Sequence, residues 1–264
     1  MRLRSVATLV ALAVAPHATS CATAEPTTAD PPRAERAQLA PSALQVPDST
    51  PLQEPTAGAS VTLASADAPT IAGPCPADMV DVKVACIDRF EAPNEKGAAP
   101  LLMQSVKDGE TWCKQRGKRL CTEDEWDRAC EGPSGKAFPY GAKYEASRCN
   151  DDGKFIAPSW KKLGRWPGAE ADAEMKRLDQ SEPSGARAGC VSDEGVFDLT
   201  GNVGEWVVRT KDNETNYSHV VKGCFWGRCF RPPHTPSCEY VNYAHPAGYR
   251  SYELGFRCCK DRSK

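Results

Sequence analysis

Twelve of the thirteen cysteines in this chain lie between Cys75 and Cys259, behind an N-terminus built like an export signal. An even set of thiols in an exported chain reads as a disulfide framework, and that constrains the fold more than any hydrophobic pattern here. The set is Cys75, Cys86, Cys113, Cys121, Cys130, Cys149, Cys190, Cys224, Cys229, Cys238, Cys258 and Cys259. No pair has the close spacing of a zinc knuckle, and His219, His234 and His245 are not spaced as ligand pairs on a helix, so zinc is not expected. Cys121 and Cys130 flank or lie in one predicted helix, roughly 13 Å apart at about 1.5 Å per residue, so each needs a distant partner. Cys224 and Cys229 fall in a strand-like run that sends them to opposite faces. Separate disulfides are therefore expected for these two, unless the chain turns sharply between them at Gly227.

Arg2 and Arg4 precede an apolar run from Val6 to Ala15 and small residues from Ala18 to Ala24, the layout of a secretory signal over residues 1–21. The run is too short to cross a bilayer. Cys21, directly after Ala18-Thr19-Ser20, predicts a lipid anchor; Ala22-Thr23-Ala24 offers ordinary cleavage and free secretion instead. Either way the expected location is extracytoplasmic. Residues 22–73 are rich in Ala, Pro, Thr and Ser with almost no aromatics, so they cannot bury enough surface to offset their ordering entropy and read as a tether. The remaining 74–264 is long enough for one domain with its own core. A net charge of −2 without a basic stripe excludes nucleic acid as a partner.

Within that domain, Ser105-Val106-Lys107-Asp108 and Thr122-Glu123-Asp124-Glu125 read as capping boxes that each open a short helix, and Gly117 closes the first. The second helix turns Trp126, Ala129 and Cys130 inward, while capping and solvation account for Glu123 and Glu125. Short apolar runs follow, separated by Gly, Pro, Asn and Asp: Phe138 to Gly141, Gly195 to Val208, Val220 to Trp226 and Gly255 to Cys259. This is an irregular α+β domain of short antiparallel strands and long loops.

The stretch Gly195 to Trp206 admits two readings. Asp198 and Glu205 offer carboxylates, and Gly201 and Val203 can turn carbonyls inward, the all-oxygen set that calcium prefers. Thr200-Gly201-Asn202 is equally good turn chemistry between two strands, with Phe197, Val203 and Trp206 packed beneath.

The order of these segments resembles the formylglycine-generating enzyme family, also called the sulfatase-modifying factor family. The resemblance rests on Cys86-Ile87-Asp88-Arg89-Phe90-Glu91, Gly117 to Trp126, Phe138 to Gly141, Gly195 to Trp206, Lys222 to Trp226 and Leu254-Gly255-Phe256-Arg257. It implies a C-type-lectin-like fold with bound calcium. The family's calcium ligands match Asp198, Gly201, Val203 and Glu205, and a second site matches Asn150 and Asp151, with Asp179 as a further candidate. Active members bind copper through two cysteines just after a Gly-Gly-Ser-Trp-like strand and convert a substrate cysteine to formylglycine. Here those positions fall near Arg228 and Pro233, and the pair Cys224 and Cys229 begins about four residues early. Two soft thiolates must converge on one copper ion, so the expectation is a calcium-stabilised binding module that lacks the copper chemistry. Its partner would be a protein or carbohydrate-like surface, on fold analogy alone. The alternative is an active copper oxidase using Cys224 and Cys229. An iron oxygenase has least support, because the histidines show no two-histidine-one-carboxylate spacing.

Overall fold

Both capping boxes form in the computed structural model of the protein, which describes residues 73–264 apart from 213–214 and 231–233. The expected signal, the Cys21 anchor and the tether lie outside the described residues. The Ser105 hydroxyl accepts from the Asp108 N–H, and the Asp108 carboxylate accepts from the Ser105 N–H at 2.8 Å, opening α1 (Val106–Gln115). Thr122 and Glu125 exchange the same pair of bonds at the start of α2 (Glu123–Glu131). Gly117, at φ +65°, follows the C-cap Arg116 and closes α1, as read from the sequence. Trp126, Ala129 and Cys130 of α2 are fully buried. Two further short helices, α3 (Trp160–Leu163) and α4 (Ala169–Leu178), complete the helical part.

Among the described residues, eight short strands make two sheets. β1 (Met79–Asp81), β2 (Cys86–Asp88), β3 (Arg119–Leu120) and β8 (Cys258–Lys260) form an antiparallel sheet in the order β1-β2-β8-β3. β4 (Gly204–Val208), β5 (His219–Lys222), β6 (Val241–Asn242) and β7 (Leu254–Gly255) form the other, in the order β6-β5-β4-β7 with β4 and β7 parallel. The architecture is the expected irregular α+β class. Strand β5 stops earlier than the apolar run Val220 to Trp226 suggests. Gly223 (φ +87°) and Cys224 (φ +62°) both leave the β region, and a Cβ at Gly223 would stand 2.7 Å from the Leu199 carbonyl oxygen.

All twelve described cysteines are in disulfides, the state of an oxidising compartment. Cys121 and Cys130 reach distant partners, Cys259 and Cys238. Neighbouring Cys258 and Cys259 point to opposite faces of β8, so one ties the strand to Cys113 in α1 and the other to Cys121 at the entry to α2. The expectation of separate disulfides for Cys224 and Cys229 is overturned: they bond to each other, with Cα atoms 5.3 Å apart. The left-handed turn at Gly223 and Cys224 ends the strand, so the alternation that would send the two thiols to opposite faces does not apply. Among the described residues no helix is long and apolar enough to cross a membrane.

Candidate functional site

Strand register carries Glu205 into the interior, where its carboxylate meets the guanidinium of Arg257 from the segment between β7 and β8. Arg257 donates from Nη2 to Glu205 Oε1 at 2.6 Å and from Nε to Oε2 at 2.7 Å, and Trp126 Nε1 donates to Oε2 at 3.0 Å. Both side chains are essentially without solvent contact. Asp198 and Glu91 lie close enough to feel the same charge. Burial, then the charges of Asp198 and Glu205, hold the Glu91 carboxyl well above its ordinary range. Burial likewise pushes Asp198 up to about 6. Asp198 Oδ2 accepts from the Gly185 N–H at 2.7 Å. A cation on Glu205 would have to displace a bidentate guanidinium, so this carboxylate does not fit a calcium ligand as it stands.

The other candidate pair fits better. Asn150 and Asp151 pack directly on the Gly201 turn: the Asn202 N–H donates to the Asn150 carbonyl at 2.7 Å, and a Cβ on Gly201 would stand 2.4 Å from that oxygen. The two segments read separately from the sequence thus meet in one place. Asn150 Nδ2 donates to Asn202 Oδ1 at 3.0 Å and to the Gln180 carbonyl at 2.9 Å. Asp151 is buried; Tyr144 donates to its Oδ1 at 3.1 Å, while Oδ2 has no hydrogen-bond partner. Burial raises its carboxyl to about 6. A buried carboxylate oxygen without a donor is a position a hard cation satisfies. Asp179, by contrast, is exposed and accepts from Ser181. Among the described residues no group of three or more His, Cys, Asp or Glu is placed to hold a metal. A calcium ion at Asp151 would draw its remaining ligands from carbonyls, amide oxygens and water.

Sequence reasoning missed an aromatic cleft. A cleft of about 390 Å³ is walled by Phe155, Trp160, Phe230, Tyr249 and Tyr252, with Glu253 among its lining residues. It shares Phe230 and Glu253 with a narrow cavity of about 20 Å³ that Cys224 and Phe225 also line, so the Cys224–Cys229 disulfide sits beside the end of the cleft. The sulfurs are bonded to each other and offer no thiolates, so the pair in this state does not fit a copper site. His219, His234 and His245 do not converge: the first faces Glu110, the second contacts the Cys229 carbonyl and the third stacks on Tyr249. Glu253 is half-buried, with the Ser251 hydroxyl donating to it, and burial pushes its carboxyl up to about 7. A raised folded value means the stability it confers is full below the unfolded value of 4.5 and is lost as pH rises through about 7. Glu253→Gln is therefore expected to flatten the stability profile across that window, by about 2–3 kcal/mol, in thermal denaturation followed from acid to neutral pH. An unchanged slope would show that Glu253 does not carry it.

Residues 54–262 match the family model described as the sulfatase-modifying factor enzyme 1-like domain. The match begins inside the segment expected to be tether. The chain is 31% identical over 133 residues to the inactive C-alpha-formylglycine-generating enzyme 2 of Bos taurus, covering 50% of this chain and 40% of the relative. It is 27% identical over 190 residues to the formylglycine-generating enzyme of Mus musculus, covering 61% of this chain and 44% of the relative. The chain thus spans less than half the length of either relative. The structure of PvdO from Pseudomonas aeruginosa overlaps with a TM-score of 0.45 at 18% identity, over 67% of this chain and 80% of that one. The family match covers most of the sequence and takes in the motif order from Cys86 to Arg257: the chain belongs to the sulfatase-modifying factor enzyme 1-like domain family.

Proposed function

We propose that this protein is an exported, non-catalytic member of its family that binds a ligand in the aromatic cleft. One observation carries the binding reading, a cleft whose rim exposes Trp160, Phe155 and Phe230; the non-catalytic part rests on the family's two copper-cysteine positions falling near Arg228 and Pro233. Three large aromatic side chains exposed together around one concavity mark a binding surface better than scattered ones would. The inactive relative at 31% identity agrees with loss of catalysis. The test is titration of the purified chain with copper(I), together with incubation with a cysteine-containing peptide in oxygenated buffer. The expected result is no stoichiometric copper and no formylglycine. Copper bound one to one, with the peptide cysteine oxidised, restores the alternative in which Cys224 and Cys229 are the copper pair.

Calcium, in this reading, is structural and sits at Asn150 and Asp151 against the Gly201 turn. The Asp151 Oδ2 atom supports this. Calcium at about one hundred times its dissociation constant should raise stability by about 2.7 kcal/mol in the wild type, and Asp151→Asn should abolish the response. Thermal melts with calcium and with chelator measure it. A calcium response that survives Asp151→Asn removes the assignment. The oxidising state of the cysteines supports an extracytoplasmic location, and whether Cys21 carries a lipid is read from the mass of the mature N-terminus.

A further inference from the structure

Rings on the walls of the cleft, linked through the buried Phe225 behind them, form a continuous chain. Phe155 meets Phe230 at 5.8 Å between centroids, Phe230 meets Phe225 at 5.6 Å, Phe225 meets Tyr252 at 6.1 Å and Tyr252 meets Trp160 at 6.4 Å. Trp160 is 54% exposed although it opens α3 and borders the cavity. Into this apolar lining comes one carboxyl, that of Glu253, and no described basic side chain contributes to holding its charge.

We propose that the Trp160–Tyr249–Tyr252 end of the cleft, over Glu253, is a site for a small organic cation, an alkylated or quaternary ammonium compound. The proposal rests on the cleft being the binding site and adds the chemistry of its ligand. Ring faces attract a cation through their quadrupoles, most strongly where both are out of water. Glu253 then gains the countercharge that its surroundings lack. The protein already uses other rings of the same cleft this way: the Arg228 guanidinium stands over Phe155 and Phe230 at 4.5 and 4.9 Å. That leaves the ligand the Trp160 end.

The lining also selects among cations. A metal ion wants oxygen ligands, and these walls are mostly carbon. A primary ammonium or guanidinium would bury several N–H donors against rings that cannot satisfy them, whereas a methylated nitrogen carries charge without donors. A sugar would bring many hydroxyls to few acceptors; Asn242 is one, and its Oδ1 already accepts from the Ala244 N–H at 3.1 Å.

Calorimetric titration of the full chain with choline and with its uncharged tert-butyl analogue tests this directly. Choline is expected to bind about tenfold more tightly than the analogue. Trp160→Ala, at an exposed position that folding tolerates, should weaken choline by about tenfold. Glu253→Gln should weaken choline and leave the analogue unchanged. Choline affinity should also rise between about pH 6 and about pH 8 as Glu253 ionises, with Tyr249 and Tyr252 neutral throughout. Among the described residues His245, stacked on Tyr249 at 3.9 Å, Arg228 at the rim and Arg177, whose charge reaches Tyr252, are the other charged or titratable groups facing the site, and Glu253→Gln separates the Glu253 contribution from theirs. Equal binding of the two probes, or binding of neither, overturns the proposal. If an oligosaccharide or a peptide binds instead and Trp160→Ala removes it, only the cation assignment falls. Formation of formylglycine would overturn the binding-domain reading itself.

Discussion

Replacing Arg257 with leucine is expected to destabilise the domain by about 3–5 kcal/mol, because it strands a buried carboxylate. Glu205 loses two charge-assisted bonds, at 2.6 and 2.7 Å, and keeps only the Trp126 indole. Arg257 also donates to the carbonyls of Phe197 at 2.9 Å and Asp88 at 3.2 Å, so two acceptors on other segments lose a donor as well. Glu91 and Asp198 are then left near Glu205 without the buried Arg257 cation that offsets their mutual repulsion. The double change Arg257→Leu with Glu205→Leu should recover part of the loss, since removing both charges ends the desolvation cost of each. Denaturant unfolding of the three proteins, read as a double-mutant cycle, decides it. A single-variant loss below about 1 kcal/mol would mean that Glu205 is not alone without Arg257, and that something else supplies a countercharge there.

Local devices were legible in the sequence and nonlocal ones were not. Ser105 with Asp108 and Thr122 with Glu125 are decided within four residues, so both boxes appear where the pattern places them. Trp126 faces inward for the same reason, because a helix fixes its face by spacing alone. Glu123 departs from its neighbours. Read as a solvated helix-start acid, it is buried and accepts from the backbone N–H groups of Thr210 and Lys211, some 87 residues away. The disulfide partners are set by tertiary topology; the helix rules out Cys121 with Cys130 but cannot supply Cys259 or Cys238. Extended backbone past Lys222 would send Cys224 and Cys229 to opposite faces, but Gly223 and Cys224 turn left-handed there, which no local pattern announces.

The candidate sites divide the same way. Motif order places Asp198, Glu205, Asn150 and Asp151 in the right segments, yet only the fold shows that Arg257 takes up Glu205 while one oxygen of Asp151 stays without a donor. The cleft had no signature in the sequence. Phe155 and Phe230 come from separate irregular stretches, Trp160 from the first position of the one-turn helix α3, and Tyr249, Tyr252 and Glu253 from a loop before β7 with no period to read.

The disulfides offer the other large effect, and they should not be equivalent. Cys113–Cys258 spans 145 residues, but Cys121–Cys259 spans 138 of the same stretch, so with that bridge intact Cys113–Cys258 closes only the short loop from Cys113 to Cys121 and back through Cys259 to Cys258, while Cys224–Cys229 closes five. In the chain-entropy model such short loops contribute about 2–3 kcal/mol each. The difference comes from packing: the first pair pins β8 to α1 through two sulfurs with no solvent contact, and serine there adds unsatisfied hydroxyls to the loss. Cys113→Ser with Cys258→Ser should therefore cost about 1–2 kcal/mol more than Cys224→Ser with Cys229→Ser. Denaturant unfolding of both double variants measures the difference. If removing Cys224–Cys229 costs as much as removing Cys113–Cys258, the short bridge holds more than its own loop. The turn it closes, beside the aromatic cleft, would then be a main support of the fold, and choline binding would fail in that variant together with its stability.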